Sequence, residues 1–125
     1  VNLTIPGKPP SENHMWFYKQ TKKRGMLKIL KPGAQAWFDQ TKLLARVEAK
    51  KQFWVMPEKK KWIKLRMKFI FPDGTHPDPT NCLKVFLDAL EGEIYPNDKW
   101  VLVDLLEPGF DKENPRTEIE TVEAI

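Results

Sequence analysis

Two aspartates and a lysine stand out for what their types and spacing could do. The run Asp78-Pro79-Thr80-Asn81-Cys82-Leu83-Lys84-Val85-Phe86-Leu87-Asp88 opens as a strong helix start, with Asp as N-cap and Pro as first helical residue. At about 100° per residue, with Asn81 set at zero, Lys84 falls near 300° and Asp88 near 340°, forming one polar stripe. Cys82, Leu83, Phe86, Leu87 and Leu90 spread over roughly 100° to 240°, a face suited to burial. Later, Asn97-Asp98 leads into the apolar segment Trp100 to Glu107. If that segment runs beside the helix start, the Asp78 and Asp98 carboxylates converge near an ammonium. Oxygen ligands suit a hard cation such as Mg²⁺, and a lysine neutralises charge on a transferring phosphoryl group. Each residue also has a plainer reading. Asp78 serves as a cap, Lys84 and Asp88 as an i,i+4 ion pair, and Asp98 as a turn residue. His14 and His76 lack a zinc spacing, and neither a catalytic triad nor a Gly-rich phosphate loop can be assembled. Asp73, in Pro72-Asp73-Gly74, reads as a turn former, and His76 is a poor match for Mg²⁺.

The surrounding elements follow from periodicity. Val1 to Ile5 alternates as a short strand and stops at Pro6-Gly7. Met15 to Tyr18 and Met26 to Leu30 pair as a hairpin whose tip, Lys19 to Gly25, is basic. Ala34 to Phe53 holds helix formers without Pro or Gly, with Trp37, Leu44 and Val47 on the apolar side and Lys42, Arg46, Lys50 and Lys51 on the wet side. Trp62 to Phe71 alternates as a strand with a row of Lys64, Arg66 and Lys68 on one face. The second helix starts near Pro79, and strands Trp100 to Glu107 and Thr117 to Ile125 close the chain. The expected fold class is α+β: a single domain over residues 1–125, with two helices packed on a small mixed β-sheet.

The 125 residues, 41% hydrophobic and 30% charged, suit one buried core rather than a disordered tail. One cysteine, Cys82, rules out an intrachain disulfide framework or a Cys-rich zinc module. No apolar run approaches the roughly 18 residues of a membrane span, and the expected compartment is the cytoplasm. The net charge of +4 conceals an asymmetry: residues 1–68 carry 17 Lys/Arg against 4 Asp/Glu, and residues 69–125 carry 4 against 13. A basic half facing a polyanion and an acidic half doing carboxylate chemistry would explain it, as would two differently solvated faces.

The combination of Asp78-x-x-Asn81-x-x-Lys84-x-x-x-Asp88-Ala89-Leu90, Asn97-Asp98 and the early Pro9-Pro10-Ser11-Glu12-Asn13 resembles the RusA-type Holliday junction resolvases, over nearly the whole chain. The resemblance implies a small, dimeric, Mg²⁺-dependent endodeoxyribonuclease (Mn²⁺ substituting) of bacterial or prophage origin, cutting branched DNA in recombination and repair. It implies Asp78 and Asp98 as metal carboxylates, Lys84 as catalytic lysine, and Asn81 and Asn13 as residues that shape the site. The chain departs from the family's Asp-x-Asp-Asn pattern at Thr80, whose hydroxyl offers an oxygen without charge. Weakened metal binding follows, and with it the alternative of an inactive junction-binding protein.

On this reading Lys22, Lys23 and Arg24 at the hairpin tip, Lys42, Arg46 and Lys50 on the first long helix, and Lys59, Lys60 and Lys61 contact DNA phosphates. Trp16, Phe17 and Tyr18 either stack on exposed bases or serve as core. Paired incision of a four-way junction calls for two sites, hence a homodimer.

Overall fold

The computed structural model describes residues 1–122. Strand β1 (Asn2–Pro6) is followed by a single-turn helix α1 (Glu12–Met15), hairpin strands β2 (Trp16–Thr21) and β3 (Gly25–Leu30), and the long helix α2 (Pro32–Lys51). Then come β4 (Ile63–Phe71), α3 (Pro79–Leu90), a 3₁₀ turn (Asp98–Trp100), β5 (Val101–Leu105), β6 (Gly109–Phe110) and β7 (Arg116–Val122). The architecture is α+β, with three helices against a mixed sheet rather than two; the added one, α1, is a single turn. The end of the last expected strand, residues 123–125, lies outside the described residues.

The main sheet runs β1-β7-β4-β5, with β6 continuing beside β4 past the end of β5. β1, β7 and β4 are antiparallel neighbours, whereas β4 and β5 are parallel from Ile63↔Val101 to Met67↔Leu105. A parallel pair needs a crossover, and α3 supplies it. The chain leaves β4 at Phe71, returns along α3, and re-enters at Val101 opposite the start of β4. This topology sets Asp78 at one end of α3 and Asp98 near the other. The hairpin β2–β3 forms its own two-stranded sheet.

Strand β4 is the centre of the core, with Ile63, Leu65, Met67, Phe69, Ile70 and Phe71 all buried. Its expected basic row is present on the other face, where Arg66 lies 3.6 Å from Asp104 and 4.0 Å from Glu120. Helix α3 is gripped on two sides. Cys82, Phe86 and Leu90 join the sheet core, while Val85 and Ala89 join a second cluster with Met15, Ala34 and Phe38. The buried sector is therefore centred near 100° on the wheel, not 170°, and Leu83 and Leu87 are only half-buried. Truncating Phe86 to Ala would cost about 3–5 kcal/mol and loosen both clusters.

On α2 the expected apolar stripe is displaced. Ala34, Phe38, Thr41, Ala45 and Ala49 are buried, Trp37 and Leu44 half-buried, and Val47 exposed. The contact face is set by close approach, which small side chains permit and larger ones prevent.

Candidate active site

Helix α3 begins as its sequence dictates. The Asp78 carboxylate Oδ1 accepts the Thr80 N–H at 3.1 Å and the Thr80 hydroxyl at 2.9 Å, with Pro79 in the first turn. Thr80 and Asn81 are exposed, and the Asn81 N–H bonds the Asp78 carbonyl at 2.9 Å. A residue that caps a helix in this way is worth about 1 kcal/mol, so Asp78 has a structural duty whatever else it does.

About 9 Å of axial rise further on, Lys84 projects from the exposed stripe. Its ammonium donates to Asp88 Oδ1 at 2.8 Å and to Asp98 Oδ2 at 2.9 Å. These two bonds, the Asp88 one foremost, hold the Lys84 pKa well above the ordinary lysine value against the opposing effect of burial. The helix ends at Glu91, whose Oε1 accepts the Asp98 N–H at 3.3 Å. Gly92, at φ 85°, then turns the chain so that its N–H meets the Tyr95 carbonyl at 2.8 Å. Asn97 opens the 3₁₀ turn by accepting the Lys99 N–H at 2.9 Å, which fixes Asp98. The outcome is a group of three half-buried carboxylates, Asp88, Glu91 and Asp98, whose oxygens lie within 4.8 Å of one another. Asp78 is not a member of this group.

Two basic residues of α2 support the acidic cluster from behind. The Lys42 ammonium donates to the carbonyls of Asp88 at 3.4 Å, Ala89 at 3.3 Å and Glu91 at 3.3 Å. It thereby satisfies carbonyls that a helix end leaves unpaired. Arg46 grips Glu93 with two bonds, at 3.1 and 2.8 Å. Lys42 and Arg46, expected to face phosphates, are thus engaged with the 88–93 segment. Tyr95 is buried beneath it, its hydroxyl donating to the Leu87 carbonyl at 2.6 Å. Burial, then the charges of Asp98, Glu91 and Asp88, push its phenol pKa far up.

The remaining candidates disperse. Lys22, Lys23 and Arg24 are exposed at the hairpin tip; these, with Lys50, Lys59 and Lys60, form no ion pair among the described residues. Lys61 lies 3.5 Å from Glu58. Asn13 is exposed on α1. Trp16 is half-buried against the second core cluster, under the Lys28 ammonium at 4.3 Å, whereas Tyr18 is exposed. Asp73 accepts the Thr75 N–H, as a turn former does, and His76 stacks on Phe71 with centroids 4.2 Å apart.

Glu91 was not singled out by sequence reasoning, though it follows Asp88 by one helical turn. Chemically, three clustered carboxylates beside a firmly protonated lysine can hold a hard divalent cation and receive an anionic ester. That arrangement on an α+β domain is of the kind used in metal-assisted phosphoryl chemistry. The family model described as "Endodeoxyribonuclease RusA" matches residues 6–121, and the chain belongs to that family. No curated protein matches the chain.

Proposed function

We propose that the protein is a divalent-metal-dependent endodeoxyribonuclease that cuts four-way and other branched DNA junctions. The observation that carries this reading is the Lys84 ammonium bonded at once to Asp88 and Asp98, in a chain of the RusA family. The donor set fits a hard cation, Mg²⁺ or Mn²⁺: all three clustered groups are carboxylates, close enough for one ion to touch more than one. When bound, the cation supplies Lewis-acid polarisation of the phosphate and an activated water.

The chain's own groups do the rest. Asp98, with Asp88 and Glu91 beside it, holds the cation; Asp78, at the opposite end of α3 and outside that cluster, is the further carboxylate that family likeness adds. Lys84 keeps its proton and offsets the extra negative charge that the phosphodiester gains in its transition state. Asn81 and Asn13 line the approach. The exposed ammonium and guanidinium groups of Lys22, Lys23, Arg24, Lys50, Lys59 and Lys60, without ion pairs among the described residues, bind backbone phosphates, giving affinity and register without base specificity. Two strands must be cut to resolve a junction, so the working form is a homodimer acting in the cytoplasm. Among the described residues no helix is long and apolar enough to cross a membrane.

Thr80 favours one rival, a junction-binding protein that does not cut. A labelled four-way junction incubated with Mg²⁺ or with EDTA separates the two. The nuclease reading expects symmetric nicks that require metal and disappear in Asp78→Asn, a substitution that keeps a capping side chain. Tight binding without nicks at every Mg²⁺ concentration would support the rival.

A further inference from the structure

An open cavity of about 380 Å³ lies between the 58–61 loop and the start of the 3₁₀ turn. Its size falls near the lower end of the ~300–1,000 Å³ range of small-molecule sites. Pro96 and Trp100 give it apolar walls above buried Tyr95, Asn97 an amide, and Lys59 and Lys60 a cationic rim. Neither of these lysines forms an ion pair among the described residues, whereas Lys61 is countered by Glu58. Trp100 is steadied by an edge-to-face contact with Trp62, centroids 4.9 Å apart at 65°. The Asn97 Oδ1 is occupied by the Lys99 N–H, which leaves the amide NH₂ to donate.

The position of the cavity gives it meaning. Asn97 and Trp100 bracket Asp98 in sequence, so the cavity is built on the same short segment that carries one of the clustered carboxylates, although the Asp98 side chain itself turns to Lys84. Tyr95 connects the two places: it lies buried beneath the cavity, and its hydroxyl is tied to Leu87, the residue before Asp88. A ligand seated here must combine a flat ring with a negative charge. A small concave site cannot admit a paired base, which stays within its stack, but it can admit one that has left it.

We infer that this cavity is a subsite for one unpaired nucleotide next to the scissile phosphate, its base against Trp100 and its phosphate on Lys59 and Lys60. The inference rests on the nuclease reading above and extends it. It supplies a means of choosing branched over linear DNA, because a base pair at a branch point, where the stack is interrupted, opens at less cost than one inside a continuous duplex.

The test uses the full chain and a four-way junction carrying 5-iodo-2′-deoxyuridine at its branch-point positions, irradiated in EDTA so that nothing is cut. Crosslinks are expected at Trp100. Trp100→Leu should lower junction affinity about tenfold while leaving linear-duplex affinity within twofold, and Trp100→Phe should recover most of the loss. The Lys59→Gln/Lys60→Gln pair, on an exposed loop, should lower junction affinity more than duplex affinity. Crosslinks confined to the hairpin, or equal losses on junction and duplex for all variants, would overturn the subsite. If wild type crosslinks at Trp100 yet never nicks DNA in Mg²⁺, the subsite stands and the nuclease reading falls.

Discussion

Lys84 Nζ stands 2.9 Å from Asp98 Oδ2, across fourteen positions of sequence and from helix to 3₁₀ turn. The bond joins the exposed stripe of α3 to the segment that enters β5, so the crossover that builds the sheet also assembles the charged centre. Lys84 has Asp88 as a second partner at 2.8 Å, and the two carboxylates fix its direction as well as its charge.

Removal of that ammonium should therefore act on the chemical step. Lys84→Met is expected to slow junction cleavage by about 10²–10³-fold while changing junction affinity less than fivefold. Single-turnover rates and gel-shift titrations in Ca²⁺ measure the two separately. Because the bonds to Asp88 and Asp98 raise the lysine's pKa above its ordinary 10.5, Lys84 stays charged through neutral and mildly alkaline pH. The rate profile should then show no descending limb from Lys84 below about pH 10.

Lys42 should behave as a positioning residue. Its ammonium is spent on the carbonyls of Asp88, Ala89 and Glu91. Lys42→Met should raise the Mg²⁺ concentration for half-maximal cleavage several-fold and leave the salt dependence of junction binding unaltered. Lys50→Met, which removes an exposed ammonium without an ion pair among the described residues, should reduce the log–log salt slope by about 0.9. A slope lowered equally by Lys42→Met would place Lys42 on the DNA instead.

Thr80→Asp tests the site's departure from its family. In place of the hydroxyl that donates to Asp78 at 2.9 Å, the substitution sets a second carboxylate there. Without metal the two charges repel, so the melting temperature in EDTA should fall by a few degrees. Mg²⁺ should restore it, and the metal concentration needed for cleavage should drop. An unchanged metal requirement would show that the position does not contact the ion.

The buried Cys82 thiol gives an alkaline signature. Burial, reinforced by the Asp78 charge, raises its pKa from 9.0 to about 11. A raised pKa contributes stability that is whole below the unfolded value and is lost as pH climbs through the folded one. Melting temperature should therefore decline between pH 9.0 and about 11, and Cys82→Ala should flatten that decline whatever its constant offset. At pH 8 the thiol should react with a disulfide reagent only after unfolding.

Much of this arrangement was legible in the sequence. Asp78-Pro79 announced the start of α3, and the Asn81, Lys84 and Asp88 stripe is exposed or half-buried, as its spacing predicted. What periodicity could not give was the partner of each charge. Lys42 sits four residues after buried Phe38, at the edge of the buried face, so a wheel alone leaves it between water and core. Only the crossover brings the α3 terminus under it. The same applies to Glu91, which joins the cluster because Gly92 reverses the chain, and to Arg46, which needed Glu93 nearby. The buried face of α2 eluded a reading by side-chain size because Ala45 and Ala49, not Leu44 and Val47, permit the close approach.

The most direct test is the single-turnover cleavage of a four-way junction by Asp98→Asn in saturating Mg²⁺, with binding measured in parallel. The amide keeps the shape of the side chain and removes its charge. The account predicts a loss of at least about 10²-fold in rate, with junction affinity within a few-fold of wild type. Cleavage by Asp98→Asn at the wild-type rate would contradict it.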